Sequence, residues 1–543
     1  MALCPKFQVK LPKKGIIVAR SGKYPYVYHV DATYRNKKGI PDHKKRSIGK
    51  LDRITGKLIP NKTYYDIYEN EQEIIIHSPQ TEIDYGEVRS IGVMAILQAT
   101  FTNLGIDKIL TSILGEARCQ MILTIVAYML TEGNVMRYID DFCDNNLFSS
   151  GFTNVHVSQL FASLSNPERM EFFKKWVKIN IQKEYIAYDV TSFSTYAKNI
   201  DDASYGYNRD GESLPQINLA LYMGQTSLMP MFYVTYDGSI VDKSHLRYMM
   251  AYNAELGIED VSFVMDRGFA TTDNAEFMRA NRHPFILGAE FRLKAIEQAY
   301  AENRQGVCDA KNYILSEKVY GLPVKGRFYR IAATLHIFYD TESVPKQTAD
   351  FFRKIAVEEN ELSQLRELDD TQTKKYSKYF AIKKLETADE IKFTFERNNI
   401  KINETRERLG YFFILTNKDL TSEEVVSIYR KRDVIEKAFD ELKNGLDMSR
   451  LRTHSSGTTD GKMFCAFLSL ICRSYMQKKL REFMDNHNFS NEHIIRELLK
   501  IRAIEVDGKK RLLNPLSKTQ RDILAALEHD PEIITKYIHD LNL

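Results

Sequence analysis

Residues 428–447, IYRKRDVIEKAFDELKNGLD, contain the pattern Tyr429-x2-Arg432-x3-Glu436-x6-Lys443. If this stretch is an α-helix, in which each residue advances by about 100°, the four side chains lie within one stripe about 60° wide. Five apolar residues form a neighbouring stripe that would pack against the rest of the fold: Ile428, Ile435, Phe439, Leu442 and Leu446. The pattern therefore predicts a helix that presents an aromatic ring, a carboxylate and two cations beside its buried face.

Two interpretations of this stripe are open from the helix alone. An amphipathic surface helix commonly carries ion pairs between residues four apart, and such pairs need no ligand. The same side chains also suit a site that handles phosphate groups, because arginine binds phosphate through a planar fork and lysine acts as a point charge. Other parts of the sequence have to decide between a surface helix and a phosphate-handling site.

Length and composition indicate a multidomain globular protein. The chain has 543 residues, 43% of them hydrophobic and 27% charged, which is too long for one ordinary core. The N-terminus has no apolar segment typical of a secretion signal, and the longest apolar stretch, residues 121–130, is too short to span a bilayer. Six scattered cysteines without a CxxC pair favour a reduced, cytoplasmic protein and argue against a zinc site.

The charge is unevenly distributed. Residues 1–62 contain 16 Lys and Arg but only three Asp and Glu, a local net charge of +13, whereas the whole chain carries +4. Tyrosines alternate with these cations, as contact with bases and phosphates would require. A basic segment of this kind indicates a partner that is a polyanion. We expect DNA, although RNA or another protein is also compatible with the pattern.

Hydrophobic periodicity changes several times along the chain and predicts six regions. The first is β-rich and basic, the second is helical, and the third and fifth form the two parts of a mixed α/β core. A long insertion separates those two parts, and a helical tail follows them. The predicted boundaries are 1–85, 86–180, 181–290, 291–410, 411–480 and 481–543.

Two aspartates stand out within the predicted core. Asp189 lies late in the apolar strand YIAYDVTSFS, and Asp266 follows the apolar run VSFVM directly. Ligands of α/β sheets gather at the carboxyl ends of strands. By contrast, Asp210 and Asp237 each precede a glycine, and this dipeptide is typical of a turn.

Asp189, Asp266 and Glu436 together change the interpretation of the helix. Three carboxylates, two from strand ends and one from a helix packed on the sheet, are hard oxygen ligands that suit Mg²⁺. Two such ions could activate a water or a 3′-hydroxyl group for displacement at a phosphodiester. Tyr429, Arg432 and Lys443 would then contact the DNA around these ligands.

These residues resemble the DDE transposases of bacterial insertion sequences, and more narrowly the YREK branch, the insertion-sequence-four superfamily. The resemblance rests on Asp189 in YIAYDVTSFS, Asp266 in MDRGF, and the spacing of Tyr429, Arg432, Glu436 and Lys443. It implies an RNase H-like core interrupted by a large insertion. It also implies Mg²⁺-dependent cleavage at transposon ends, for which Mn²⁺ can substitute, then strand transfer by the freed 3′-hydroxyl in a DNA-bound homodimer.

Some members of this branch stack a flipped base on a tryptophan of the insertion. This chain has a single tryptophan, Trp176, which lies outside residues 291–410. Either excision does not use the hairpin route, or another aromatic of the insertion, such as Phe338 or Tyr339, stacks on the base. Lys462 and Arg452 flank the Tyr429–Lys443 segment and are candidates for contact with the DNA backbone. Two other functions stay open: an RNase H-like nuclease or resolvase without strand transfer, and a DNA-binding descendant that no longer cuts. In each case we expect a cytoplasmic bacterial protein that joins the nucleoid when bound to DNA.

Overall fold

The computed structural model describes residues 9–19, 25–52, 55–68, 85–147, 152–181, 184–258, 261–386 and 391–543. The chain divides into two compact units, Met1–Ile83 and Asp84–Leu543. Each unit is described by itself below.

The first unit is a small antiparallel sheet with one helix. Its strands pair in sequence order and, with the helix, have the following bounds: β1 Ile16–Ala19, β2 Tyr26–Arg35, β3 Pro41–Leu51, β4 Leu58–Pro60 and α1 Lys62–Tyr68. Val27, Ile48 and Leu58 form its buried centre. Lys45 and Lys50 lie over the rings of Tyr28 and Tyr26, with their amino groups 5.0 and 5.5 Å from the ring centroids. The alternation of tyrosine and lysine therefore produces a sheet that carries both on its surface.

The second unit begins with one short strand and a group of helices. Their bounds are β5 Tyr85–Ser90, α2 Gly92–Leu104, α3 Ile106–Leu114, α4 Glu116–Glu132, α5 Ile139–Asn146, α6 Asn154–Ser163 and α7 Asn166–Asn180. The apolar stretch 121–130 forms the buried part of α4. Among the described residues no helix is both long and apolar enough to cross a membrane. Trp176 of α7 is fully buried and donates its indole N–H to the Pro230 carbonyl oxygen at 2.9 Å.

The centre of the second unit is a mixed sheet covered by helices. Its first part consists of β6 Tyr185–Ser194, β7 Gln216–Gly224, β8 Pro230–Asp237, α8 Asp242–Leu256, β9 Ser262–Met265, α9 Thr272–Ala280 and β10 Phe285–Gly288. In space these strands lie in the order β8-β7-β6-β9-β10. Strand β7 is antiparallel to its neighbours β6 and β8, and β9 and β10 run parallel to β6. The expected mixed α/β core is therefore confirmed.

Residues 291–410 contribute to the same sheet and also form a separate cluster. The elements from here to the last strand of the sheet are α10 Lys294–Val307, β11 Tyr313–Ile314, β12 Val319–Phe328, β13 Ile331–Tyr339, α11 Val344–Gln364, α12 Asp370–Tyr376, β14 Phe380–Glu386, β15 Ile391–Arg397, α13 Asn399–Arg406 and β16 Tyr411–Thr416. Strands β11, β12, β13 and β16 extend the sheet beyond β10. The other elements, α11–α13 with the β14–β15 hairpin, pack around their own apolar centre, which includes Ile355 and Phe380.

The last part of the chain is helical with one short hairpin. Its elements are α14 Ser422–Arg430, α15 Asp433–Asp440, a π-helical turn Glu441–Gly445, α16 Ser456–His487, α17 Asn491–Leu499, β17 Arg502–Val506, β18 Lys509–Leu512, α18 Lys518–Ala526 and α19 Glu532–Leu541. Strand β17 pairs with both β18 and β5. As predicted, Thr421 and Glu424 form the capping box of α14.

The prediction of one continuous helix through Tyr429 and Lys443 is wrong. Helix α14 ends at Arg430, and the N–H groups of Arg432 and Ile435 donate to carbonyls three residues earlier instead of four. After α15 the helix widens, because the Leu446 N–H donates to the Glu441 carbonyl five residues earlier. The tightened and widened turns change the direction of the four side chains from that of a regular helix.

Candidate active site

Two carboxylates lie side by side on neighbouring parallel strands. Strands β6 and β9 pair in a register that places Tyr188 beside Met265, so the residues that follow, Asp189 and Asp266, are also neighbours. Adjacent strands are roughly 5 Å apart. Strand β9 ends at Met265, whereas β6 continues to Ser194. Asp266 therefore projects from a strand end, as predicted, while Asp189 lies in the middle of its strand.

Few protein donors hold these two carboxylates. The Asp189 Oδ1 accepts a hydrogen bond from the Val190 N–H at 2.8 Å, and the Asp266 Oδ1 accepts one from the Gly268 N–H at 2.7 Å. Only 16% of the Asp189 side chain is exposed. A buried carboxylate that keeps its charge needs a cation nearby.

The electrostatics of Asp189 reflect this need. Burial and, to a lesser degree, the negative charge of Asp266 raise its pKa to about 6, although Arg209, the Val190 N–H and Arg432 oppose the shift. A buried carboxylate whose pKa is raised in this way is typical of functional sites.

Arg432 is the cation that meets Asp189 in this conformation. Its Nη1 lies 3.3 Å from the Asp189 Oδ2, and its Nη2 donates to the Glu436 Oε1 at 2.5 Å. Arg432 is therefore positioned between two of the three predicted metal ligands. This position follows from the break between α14 and α15, because Arg432 lies within it.

The three predicted ligands are only partly assembled. Among the residues with described positions, no three His, Cys, Asp or Glu side chains form a cluster that could hold a metal ion. Asp189 and Asp266 are suitable metal ligands, since they are adjacent acidic side chains with few other partners. Glu436 is half exposed and bound to Arg432, so it would complete the set only after that ion pair opens.

Tyr429 lies beside the aspartate pair. A Cβ at Gly288 would come within 2.5 Å of the Tyr429 hydroxyl oxygen, so the tyrosine passes close over the end of β10. Burial raises the pKa of Tyr429, while the Arg432 charge lowers it and the Asp266 charge raises it. The Arg432 guanidinium lies 5.8 Å from the ring centroid. Tyr429 thus shares its surroundings with Asp266 and with Arg432.

A cavity of about 760 Å³ opens next to Asp266 and Tyr429. Its walls combine arginines, including Arg267 and Arg292, with the aromatic rings of Phe291, Tyr411 and Phe413. The walls also contain the acids Asp266, Glu290 and Asp340, so the cavity combines aromatic rings with charges of both signs.

Lys443 forms an ion pair with an acid from the loop between β6 and β7. Its amino group contacts both carboxylate oxygens of Asp210, at 2.8 and 2.7 Å. Asp210 itself lies in a turn, as predicted, and so does the Asp237–Gly238 pair. Seven residues after Lys443, Arg450 pairs with Glu212 at 2.5 Å. Arg450 and Glu212 were not among the residues predicted from the sequence. Their position in RLR and DGES, close to predicted site residues, was the only local indication that they belong to this surface.

Two weaker predictions from the sequence are wrong. Lys462 is 1% exposed and donates to the Asn134 carbonyl, the Asn134 Oδ1 and the Leu451 carbonyl, so it is a core residue and cannot contact DNA. Phe338 is fully buried in β13, where it stacks on Phe412, so it is not available to a flipped base. Arg452 stays on the surface, paired with Asp447.

No curated protein matches the sequence at a significant level. Among solved structures, the chain is similar to the cryo-EM structure of a piggyBac transposase synaptic complex with hairpin DNA. The two share 8% identity and a TM-score of 0.38, over 78% of this chain and 76% of that one; a likeness this weak supports no further conclusion.

A family model described as "Transposase DDE domain" matches residues 181–472. The match covers more than half of the chain and includes Asp189, Asp266 and the segment from Tyr429 to Lys443. Enzymes of this family generally use divalent metal ions. The chain belongs to the DDE transposase family.

Proposed function

We propose that this DDE transposase is of the YREK type, in the insertion-sequence-four superfamily. It would bind the ends of its insertion sequence, cleave the strands there with Mg²⁺, and join the freed 3′-hydroxyl to target DNA. The observation that carries the proposal is the contact of Arg432 with Asp189 and Glu436 next to Asp266. This contact joins Asp189 of β6 to the helix that carries Glu436 and supports the proposal that these acids belong to one site.

The proposed roles follow from the contacts. Asp189, Asp266 and Glu436 are the catalytic residues and would hold two Mg²⁺ ions. When bound, such ions would activate a water or a 3′-hydroxyl and stabilise the leaving oxygen. Arg432, once released from Asp189 and Glu436, would bind a phosphate through its fork. Lys443 would neutralise a second phosphate, and Tyr429 would contact the sugar or base at the cleaved end.

DNA is the proposed partner of both units. Residues 1–62 carry a net charge of +13, against +4 for the whole chain, and the sheet of the first unit displays Tyr26, Tyr28, Lys45 and Lys50. Because two transposon ends must be cut and joined together, a homodimer on DNA is the expected active form. The six-region division stays a proposal, as does the cytoplasmic bacterial location.

A nuclease or resolvase would use the same carboxylates without joining strands, and a non-cleaving descendant would use none of them. The experiment that separates these functions supplies the enzyme with Mg²⁺, DNA ends that carry free 3′-hydroxyls, and a supercoiled target plasmid. A transposase yields joined products. Cleavage without joining would support the nuclease, and binding without either would support the non-cleaving descendant.

A further inference from the structure

The loop between β6 and β7 (residues 195–215, the β6–β7 loop) contacts two cations that come after Glu436 in the sequence. Asp210 pairs with Lys443, and Glu212 pairs with Arg450. Lys443 lies seven residues after Glu436, or roughly 10 Å along a helix. Arg450 forms a parallel bridge with Ser194, at the carboxyl end of the strand that contains Asp189. Both cations therefore lie on a path that leads away from the proposed catalytic residues.

The Asn208 side chain holds the backbone of the two loop acids in place. The Asn208 Oδ1 accepts hydrogen bonds from the N–H groups of Asp210 and Glu212, at 2.8 and 3.4 Å. The Asn208 side-chain amide donates to the Ser194 hydroxyl oxygen at 3.0 Å, which ties the loop to β6. The hydrogen bond from Arg450 lowers the pKa of Glu212, so this acid is charged at neutral pH.

The same loop also exposes three large aromatic rings. Tyr196, Tyr205 and Tyr207 are 74%, 70% and 83% exposed, and the Arg450 guanidinium lies 5.6 Å from the Tyr196 ring centroid. Exposed aromatic rings beside arginine and lysine are typical of surfaces that contact nucleic acid. The loop therefore combines features that favour DNA with two acids that would repel it.

We propose that Arg450 is a further phosphate-binding residue and that Asp210 and Glu212 occupy the phosphate positions of Lys443 and Arg450 until DNA displaces them. The inference rests on the proposed function of the site. Carboxylates and phosphates share the geometry that lysine and arginine recognise, so each loop acid competes directly with one DNA phosphate. The acids lower the affinity of the DNA-free enzyme for arbitrary duplex, and the three tyrosines contact the DNA once the acids have moved.

The test measures binding of the full-length protein to a duplex of arbitrary sequence at several salt concentrations. Asp210→Asn and Glu212→Gln are each expected to tighten binding about two- to fivefold at low salt, as expected from partly exposed ion pairs. The gain should shrink as salt rises. Asp210→Glu, which keeps the charge, should bind like the wild type. Glu255→Gln removes an equivalent paired acid on α8, 3.2 Å from Lys174, and controls for the change in net charge.

A double-mutant cycle distinguishes local competition from general repulsion. In a Lys443→Ala background the gain from Asp210→Asn should disappear, and in an Arg450→Ala background the gain from Glu212→Gln should disappear. Gains that persist in those backgrounds, or that Glu255→Gln reproduces, would overturn this inference and leave the proposed function intact. A wild-type protein that binds no duplex and cuts none would instead overturn the proposed function and this inference with it.

Discussion

Removal of the Arg432 guanidinium should increase the affinity of the DNA-free protein for Mg²⁺. Arg432 contacts Asp189 and Glu436, and it therefore occupies the space in which these two carboxylates would share a cation. In Arg432→Gln the carboxylates keep their positions on β6 and α15 but lose the competing positive charge. Binding of Mg²⁺ would then no longer require an ion pair to open.

The contacts allow the size of this effect to be estimated. Arg432 and Asp189 are each only 16% exposed and lie 3.3 Å apart, so their hydrogen bond between charged groups contributes about 1.5–3 kcal/mol. Glu436 is 53% exposed, and its pair adds less than about 1 kcal/mol. Together they amount to about 1.5–4 kcal/mol, so loss of the competing arginine should strengthen Mg²⁺ binding roughly 10- to 1,000-fold.

Isothermal titration with Mg²⁺ at pH 8, well above the pKa of Asp189, measures this affinity directly. Arg430→Gln is the matched control, because Arg430 lies two residues away and pairs with Glu317 and Asp340 outside the carboxylate site. We expect wild-type affinity in the control and a clear increase in Arg432→Gln. Equal affinities in Arg432→Gln and the wild type would refute the idea that Arg432 blocks the metal ligands.

Two further predictions concern positions around the site. In Gly288→Ala the new Cβ would lie 2.5 Å from the Tyr429 hydroxyl and 2.8 Å from the Arg267 backbone nitrogen, so these groups would have to move. Strand cleavage should therefore fall at least tenfold. A gel-shift assay that shows unchanged DNA binding would assign the loss to the site. Burial lowers the pKa of Lys462 to about 7, below its unfolded value of about 10.4, so the unfolded chain binds more protons between these values and Lys462 adds stability as pH rises from 7 to 10. The Tm of the wild type minus that of Lys462→Met should therefore increase with pH in thermal melts, and a constant difference would show that the three acceptors keep the lysine charged.

Much of the core could be predicted from local sequence because its strands are short apolar runs with clear ends. Asp266 illustrates this, since the strand before it is fully buried and the chain turns directly after it. The extension of the sheet by β12 and β13 could not be predicted, because the pairing of β13 with β16 joins residues more than 70 positions apart. The alternation of apolar and polar residues indicates which segments form strands, but not which strands pair with each other.

The composition of the site was more predictable than its contacts. Wheel geometry grouped Tyr429, Arg432 and Glu436 correctly as neighbours, although no glycine or proline marks the break at Arg432. The pairing of Lys443 with Asp210 spans 233 positions, and nothing local indicates it. Lys462 was misassigned because its acceptors belong to other segments, Asn134 and Leu451, that only the folded chain brings together.

The central claim is that Asp189, Asp266 and Glu436 form one metal-dependent catalytic site. The most direct measurement is strand cleavage by Glu436→Gln at the ends of the insertion sequence with Mg²⁺, alongside a gel-shift assay of the same protein. Glutamine keeps the shape of the side chain but removes the charge that a metal ligand needs. The account predicts loss of cleavage with DNA binding retained. Near-normal cleavage by Glu436→Gln would contradict it.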